Sequence, residues 1–374
     1  MQFETLAIHT GMESDPATGS VVPPVYPSTI FRHTSKGLDK EGFSYTRQDN
    51  PNRNRLEELL AQLEGGDECA VFSSGVAAAT ALFQAMDPGD EVLAPDDVYH
   101  GNRLLLNNLM RRWGLYTNYV DMTDPEAVDS AITNRTRLIW VETPSNPLLH
   151  VTDIKAVCEV AGKYDDLQVC VDNTWLTPYL QKPLAFGADF VLHSTTKYLG
   201  GHSDLLGGAI ISRPGNPFFD RVRSIQHQAG AVPSPHDCWM LQRSIHTLSC
   251  RMEKHCSNAR KIAEYLSKHK MVEKVYYPGL PDSPYYQISQ KQARGFGGML
   301  SFLYDGTGAE TQNVANQSKI ITQATSLGGV ESTWEHRRSS EGPDSPTPDN
   351  LIRLSVGLEH PDDLITDLEQ ALTM

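Results

Sequence analysis

The sequence predicts an α/β protein: a mostly parallel sheet with helices on both faces, followed by a smaller C-terminal α+β domain. Two observations carry this. Up to about residue 240, short continuous apolar runs alternate with helical patterns; the runs are ECAVF, EVLA, TNYVDM, RLIWVET, QVCVDN, DFVLHS and GAIIS. Strands apolar on both faces belong to a parallel sheet covered on two sides. After about 246 the signals become shorter and mixed, as in KVYYPG, GGMLSFLY, KIITQATS and NLIRLSVGLE. A chain of 374 residues is also too long for one compact core of ordinary size.

In chain order, residues 1–54 carry turn formers such as VVPPVYPST and RQDNPNRN, and read as an extended arm. A helix follows, with Leu56, Leu59, Leu60 and Leu63 at i, i+3, i+4, i+7 and Gly65-Gly66 as its stop. Residues 55–245 then form the large domain and 246–374 the smaller one. One long helical stretch is expected from Pro235 through CWMLQRSIHTLSCRMEKHCSNARKIAEYLSKH. SSEGPDSPTPD, from Ser339 to Asp349, reads as an irregular loop of the kind that covers a site.

The formal net charge of −14 disfavours nucleic acid and anionic membranes as partners. The six cysteines form no CxxC pair, and four lie in apolar runs, so they read as buried thiols in a reducing compartment. MQFETLAIHTGMESD has neither a basic nor an apolar targeting region, and no window reaches the length of a membrane span. A cytoplasmic protein is expected.

Ligands of open α/β sheets sit beyond the carboxyl ends of the strands. ECAVF ends in Ser73-Ser74-Gly75 before a small-residue helix. That is either a plain N-cap or a phosphate cup, in which free N–H groups face the anion. QVCVDN ends in Asp172, which is a turn residue or a carboxylate with a cationic partner. DFVLHSTTK ends in Ser194, Thr196 and Lys197, where the lysine is a solvated loop charge or a reagent. RLIWVETPSNP contributes Glu142 and Asn146, and DDVYHGN contributes Tyr99. A lysine, an acid for a ring nitrogen, an aromatic face and a phosphate cup together match what pyridoxal 5′-phosphate requires.

SSGVAAA, DDVY, ETPSNP, VDNTW, STTKYLGGHSD, GAVPSP, SLGG and LIRLSVGLE, in this order, resemble the Cys/Met-metabolism family of pyridoxal-phosphate enzymes. The likeness runs from FSYTRQDNPNRN to the C-terminus. It implies the type I, aspartate aminotransferase-like transferase fold, with Lys197 as the covalent anchor and proton carrier. It implies Asp172 at the pyridinium nitrogen, Tyr99 stacked on the ring and active in proton transfer, and Asn146 at the phenolic oxygen. Ser74, Gly75 and Val76, with Ser194 and Thr196, would hold the phosphate. Tyr45 and Arg47 would reach the phosphate of a neighbouring subunit, making a dimer the smallest competent unit and a pair of dimers the expected assembly. Arg353 would grip the substrate carboxylate with Ser326, and Tyr45 and Asn146 would also meet the substrate.

The implied activity is γ-elimination or γ-replacement on a homoserine-derived or sulfur amino acid, of the cystathionine γ-lyase or γ-synthase type, as GAVPSPHDC suggests. Methionine γ-lyase, O-acylhomoserine sulfhydrylase and cystathionine β-lyase remain alternatives, as does a non-catalytic binding protein. Specificity is assigned to Ser44, Thr325 and Arg103. Cystathionine-handling relatives tend to carry acids at the first two of these positions, and methionine γ-lyases carry a cysteine where this chain has Gly101. The cluster His336, Arg337 and Arg338 reads as a solvated patch in preference to an anion site. A serine hydrolase on Ser74 lacks a GxSxG elbow, and a metal site from Asp172, His193 and His202 lacks a ligand motif.

Overall fold

The protein is described by a computed structural model covering residues 1–32, 42–342 and 345–373. The rest of the arm and residues 343, 344 and 374 lie outside the described residues; of the loop expected over Ser339–Asp349, the first three residues instead end a short helix, Arg337–Glu341.

The seven apolar runs form one sheet: β1 Glu68–Phe72, β2 Glu91–Pro95, β3 Tyr116–Val120, β4 Thr136–Glu142, β5 Gln168–Asp172, β6 Phe190–His193 and β7 Gly208–Ser212. Their order is β1-β7-β6-β5-β4-β2-β3. β2 to β6 run parallel, and β7 is antiparallel to both β6 and β1. Every residue of β2, β6 and β7 is buried, whereas edge strand β3 is only half-buried. This is why the central strands read as unbroken apolar runs.

The Leu56 helix spans Pro51–Glu64. Asn50 caps it by accepting from Asn52 N at 3.0 Å, and Gly65 ends it at φ 78. Its four leucines are fully buried, each contributing about 1.5–3 kcal/mol. The stretch from Pro235 is not one helix: it breaks between Pro235–Ile245 and Leu248–Leu266, with Thr247 at φ −109. The Ser244 carbonyl at the break accepts from Thr247 Oγ1 and from Arg251 Nη2, a side-chain capping that ends the first helix.

A second sheet follows: β8 Val272–Tyr276, β9 Met299–Tyr304, β10 Thr322–Gln323, β11 Thr333–His336 and β12 Leu351–Ser355, in the order β10-β11-β12-β9-β8. Leu300, Phe302, Ile352 and Leu354 pack against Ile262 and Leu266 of the 248–266 helix and Leu364 and Leu368 of the helix Pro361–Leu372. Register sets Arg353 of β12 between Glu335 of β11 and Ser301 of β9 on one face. Among the described residues, no helix is long and apolar enough to cross a membrane.

Candidate active site

The carboxyl ends of β1, β4, β5 and β6 open on a cavity of ≈ 500 Å³, closed on the far side by residues of the second sheet. Asp172 and Glu142 are register partners at the ends of β5 and β4. Burial raises the pKa of both carboxyls. Glu142 goes well above the carboxylate range, because the charge of Asp172 adds to its burial. Glu142 Oε2 also accepts the Tyr99 N–H at 3.0 Å, so this acid ties the aromatic residue to the sheet. Asp172 Oδ1 accepts from Thr174 N at 3.0 Å.

Past β6 the chain turns through Ser194 to Lys197. Lys197 Nζ donates to Ser326 Oγ at 2.6 Å, and its pKa is lowered to about 8, first by burial and then by the Arg353 and Arg337 guanidinium charges. Ser326 holds this position at φ 87, a left-handed conformation strained for a residue with a side chain. Arg353 is buried. Its Nη1 donates to Asn146 Oδ1 at 3.1 Å and its Nη2 to the Ser326 carbonyl at 3.0 Å and Glu335 Oε2 at 2.9 Å. Burial lowers the pKa of Arg353 to about 10, with the Arg337 charge next.

At the end of β1, the Ser74 hydroxyl caps the helix Gly75–Gln84, accepting from Ala77 N at 3.0 Å. The plain-cap reading therefore describes this hydroxyl. The Gly75 and Val76 N–H groups in the first turn have no intrahelical acceptor and line the cavity. A Cβ at Gly75 would lie 2.8 Å from Ser194 Cβ and 2.9 Å from its Oγ, so glycine is what lets these two backbones form one cup. Thr196 Oγ1 is within 3.2 Å of the Gly207 carbonyl and accepts from Gly207 N at 3.1 Å, pinning the facing loop. An anion cup, a low-pKa lysine and a carboxylate without a cationic hydrogen-bond partner among the described residues together fit pyridoxal phosphate.

Of the residues expected from sequence, Ser74, Gly75, Val76, Tyr99, Asn146, Asp172, Ser194, Thr196, Lys197, Thr325, Ser326 and Arg353 all line this cavity. Four do not. Tyr45 lies outside with Arg47 over its ring at 5.6 Å, and Arg47 Nη1 donates to the His227 carbonyl. Ser44 gives its carbonyl to Phe31 N at 3.0 Å. Arg103 lies over the Tyr119 ring at 4.3 Å and donates to the Asp96 carbonyl. His193 Nε2 sits 2.6 Å from Glu64 Oε1, and His202 Nδ1 2.8 Å from the Gly200 carbonyl.

The structure corrects the solvated patch. His336 and Arg337 are buried, and Arg338 is half-buried. His336 lies 2.6 Å from both Ser339 Oγ and the Asp349 carbonyl, and Arg338 donates to the Ser345 and Thr347 carbonyls. Arg337 donates to Glu335 Oε2 at 2.7 Å and to Glu341 Oε1. It belongs to the cavity wall, with Glu335, Ser340 and Glu341. Sequence reading missed these wall residues and the role of Glu142. The acids at 335 and 341, two before and four after the arginine, were the available signal.

The curated relatives extend over the whole chain. A cystathionine gamma-synthase of Mycobacterium tuberculosis is 46% identical over 374 residues, 98% of this chain and 96% of the relative. A cystathionine beta-lyase of Lactococcus lactis is 43% identical over 378 residues, 99% of this chain and 98% of the relative. Among solved structures, metB from Corynebacterium glutamicum superposes with a TM-score of 0.96 at 40% identity, covering 100% of this chain and 98% of that one. Cystathionine gamma-lyase from Lactobacillus plantarum, complexed with L-serine, gives 0.94 at 40% identity over 99% and 98%. The fold is thus the type I pyridoxal-phosphate transferase fold. With the family model matched from residue 4 to residue 373, the chain belongs to the Cys/Met metabolism PLP-dependent enzymes.

Proposed function

We propose that the enzyme catalyses γ-elimination or γ-replacement on a homoserine-derived or sulfur amino acid, in the manner of cystathionine γ-lyase or γ-synthase. The observation that carries this reading is the double use of Ser326. Its hydroxyl accepts from Lys197 at 2.6 Å while its carbonyl accepts from Arg353 at 3.0 Å. An amino acid whose α-carboxylate lies on Arg353 therefore brings its α-carbon to the lysine.

Bound pyridoxal phosphate supplies an electron sink for negative charge at that α-carbon. Lys197 would take the Cα proton and, in γ-chemistry, would give that proton up to the bound cofactor before taking another from Cβ; a pKa near 8 suits both giving and taking. Asp172 would face the ring nitrogen, Tyr99 would stack on the ring, and the Gly75 and Val76 N–H groups would hold the phosphate with Ser194 and Thr196, all of which line the one cavity. Tyr45 and Arg47 serve the site of a second copy, which accounts for their place outside this cavity.

Likeness to cystathionine gamma-synthase supports the γ branch. Gly101 counts against a methionine γ-lyase type of site: a Cβ there would lie 2.5 Å from Tyr99 Cε1, so a cysteine would displace the ring. The beta-lyase relatives support a second reading, expulsion of the Cβ substituent. Product analysis separates them. Cystathionine should yield 2-oxobutyrate, and an O-acylhomoserine with cysteine should yield cystathionine. Pyruvate from cystathionine without 2-oxobutyrate would sink the γ reading.

A further inference from the structure

Arg353 accounts for one substrate carboxylate, yet the cavity wall holds a second buried guanidinium. Arg337, 6% exposed, opens the short helix Arg337–Glu341. It is the third member of a ladder, Arg353–Glu335–Arg337–Glu341, in which each neighbour is hydrogen-bonded to the next. Stability does not explain the outer rungs, since a buried ion pair is often matched or bettered by apolar residues of the same volume.

The acids are themselves held. Glu335 Oε1 accepts from Ser340 Oγ at 2.5 Å, and Glu341 Oε2 from Ser345 Oγ and Thr347 Oγ1, each at 2.6 Å. The guanidinium plane is thereby fixed. Arg337 spends one N–H of Nη1 on Glu335 and one of Nη2 on Glu341, and each of these nitrogens carries a second N–H. A guanidinium with its orientation set in advance and three donors left, among them a buried Nε–H that has no partner among the described residues, binds an incoming carboxylate at little ordering cost.

We infer that Arg337 is a specificity residue that receives a second carboxylate, so that the preferred substrates are amino acids whose side chain ends in a carboxylate. This rests on the proposed amino-acid site at Lys197 and Arg353, and it narrows the substrate class. Cystathionine and O-succinylhomoserine carry such a group; methionine and O-acetylhomoserine do not. It also provides for the distal end of the substrate without acids at Ser44 and Thr325.

Binding tests this without turnover. Cofactor-loaded protein is titrated, by its absorbance, with L-2-aminosuberate, which ends in a carboxylate, and with L-norleucine, which ends in a methyl group. A charge-assisted pair predicts that aminosuberate binds about tenfold to a hundredfold tighter. Arg337→Gln should abolish that preference, bringing the ratio of the two affinities to about one whatever the change common to both ligands, and Arg337→Lys should retain part of it. Equal affinities in the unaltered protein would overturn the inference, as would an Arg337→Gln protein that loses both ligands alike, which is the mark of a purely structural arginine. If Arg337→Gln does not fold, the unaltered protein and Arg337→Lys decide. Binding of both ligands with no trans-sulfuration product would remove the proposed reaction and leave this inference standing; binding of neither removes both.

Discussion

Lys197 shows how one residue's surroundings become a pH dependence. Burial and two guanidinium charges favour its neutral form and lower its pKa to about 8, against an ordinary 10.5. Between those values the folded protein binds fewer protons here than the unfolded chain does. This contribution to stability therefore rises with pH through that window, and below about 8 the cost of burying the charged amine is fully present. The neutral amine is also the form that attacks a carbonyl. Cofactor capture by the apoprotein should accelerate as pH rises through about 8 and then level off, read by absorbance in a stopped-flow mixer. Replacing the Arg353 cation by Gln should move that midpoint upward, since the largest charge lowering it would be gone. A midpoint near the ordinary lysine value in the unaltered protein would contradict the environment described for Nζ.

At the scale of elements, the phosphate cup depends on how closely the β1–helix turn approaches the turn after β6. A Cβ at Gly75 would meet Ser194 at 2.8 Å, through its Cβ and not a flexible tip. Gly75→Ala should cost about 1–3 kcal/mol of stability through this overpacking. It should weaken cofactor affinity more than Ser74→Gly, which removes only a cap and costs a few tenths of a kcal/mol. Thermal melts and equilibrium dialysis of the two variants would check both halves. Apart from the half-buried edge strand β3, these elements were legible in the sequence because they are buried on both faces: all seven runs of the first sheet are strands, and the ends of β1, β4, β5 and β6 converge. The wall of the second sheet was not. TWEH of β11 alternates too briefly to show a period, and the RRSSE helix carries charge that reads as solvated. Its burial follows from ion pairs of Arg337 with Glu335 and Glu341, contacts in space that composition does not reveal. The break at Thr247 was hidden for a related reason, since a side-chain contact to the Ser244 carbonyl leaves no gap in helical periodicity.

At the scale of the whole molecule, the arm expected over residues 1–54 is extended only in part: Phe3–His9 is a helix whose Phe3 and Ala7 pack into the chain's own core, and the stretch around Tyr45 and Arg47 is what a single chain leaves unexplained. Tyr45 is 40% exposed and Arg47 contacts its own subunit through the His227 carbonyl, so neither serves the cavity of its own chain. If they complete a neighbour's phosphate site, each site draws Lys197 from one chain and Arg47 from the other. Two variants, Lys197→Ala and Arg47→Ala, would then be inactive or weak separately. Mixed, unfolded together and refolded, they would form hybrid dimers in which one site carries both defects and the other carries none. Random pairing makes half the dimers hybrid, so about a quarter of all sites are intact and activity should recover to about that fraction. If both residues served one chain's own site, no intact site could form and mixing would restore nothing. The recovered activity, measured against each variant refolded alone, therefore reports directly on whether the catalytic unit is one chain or two.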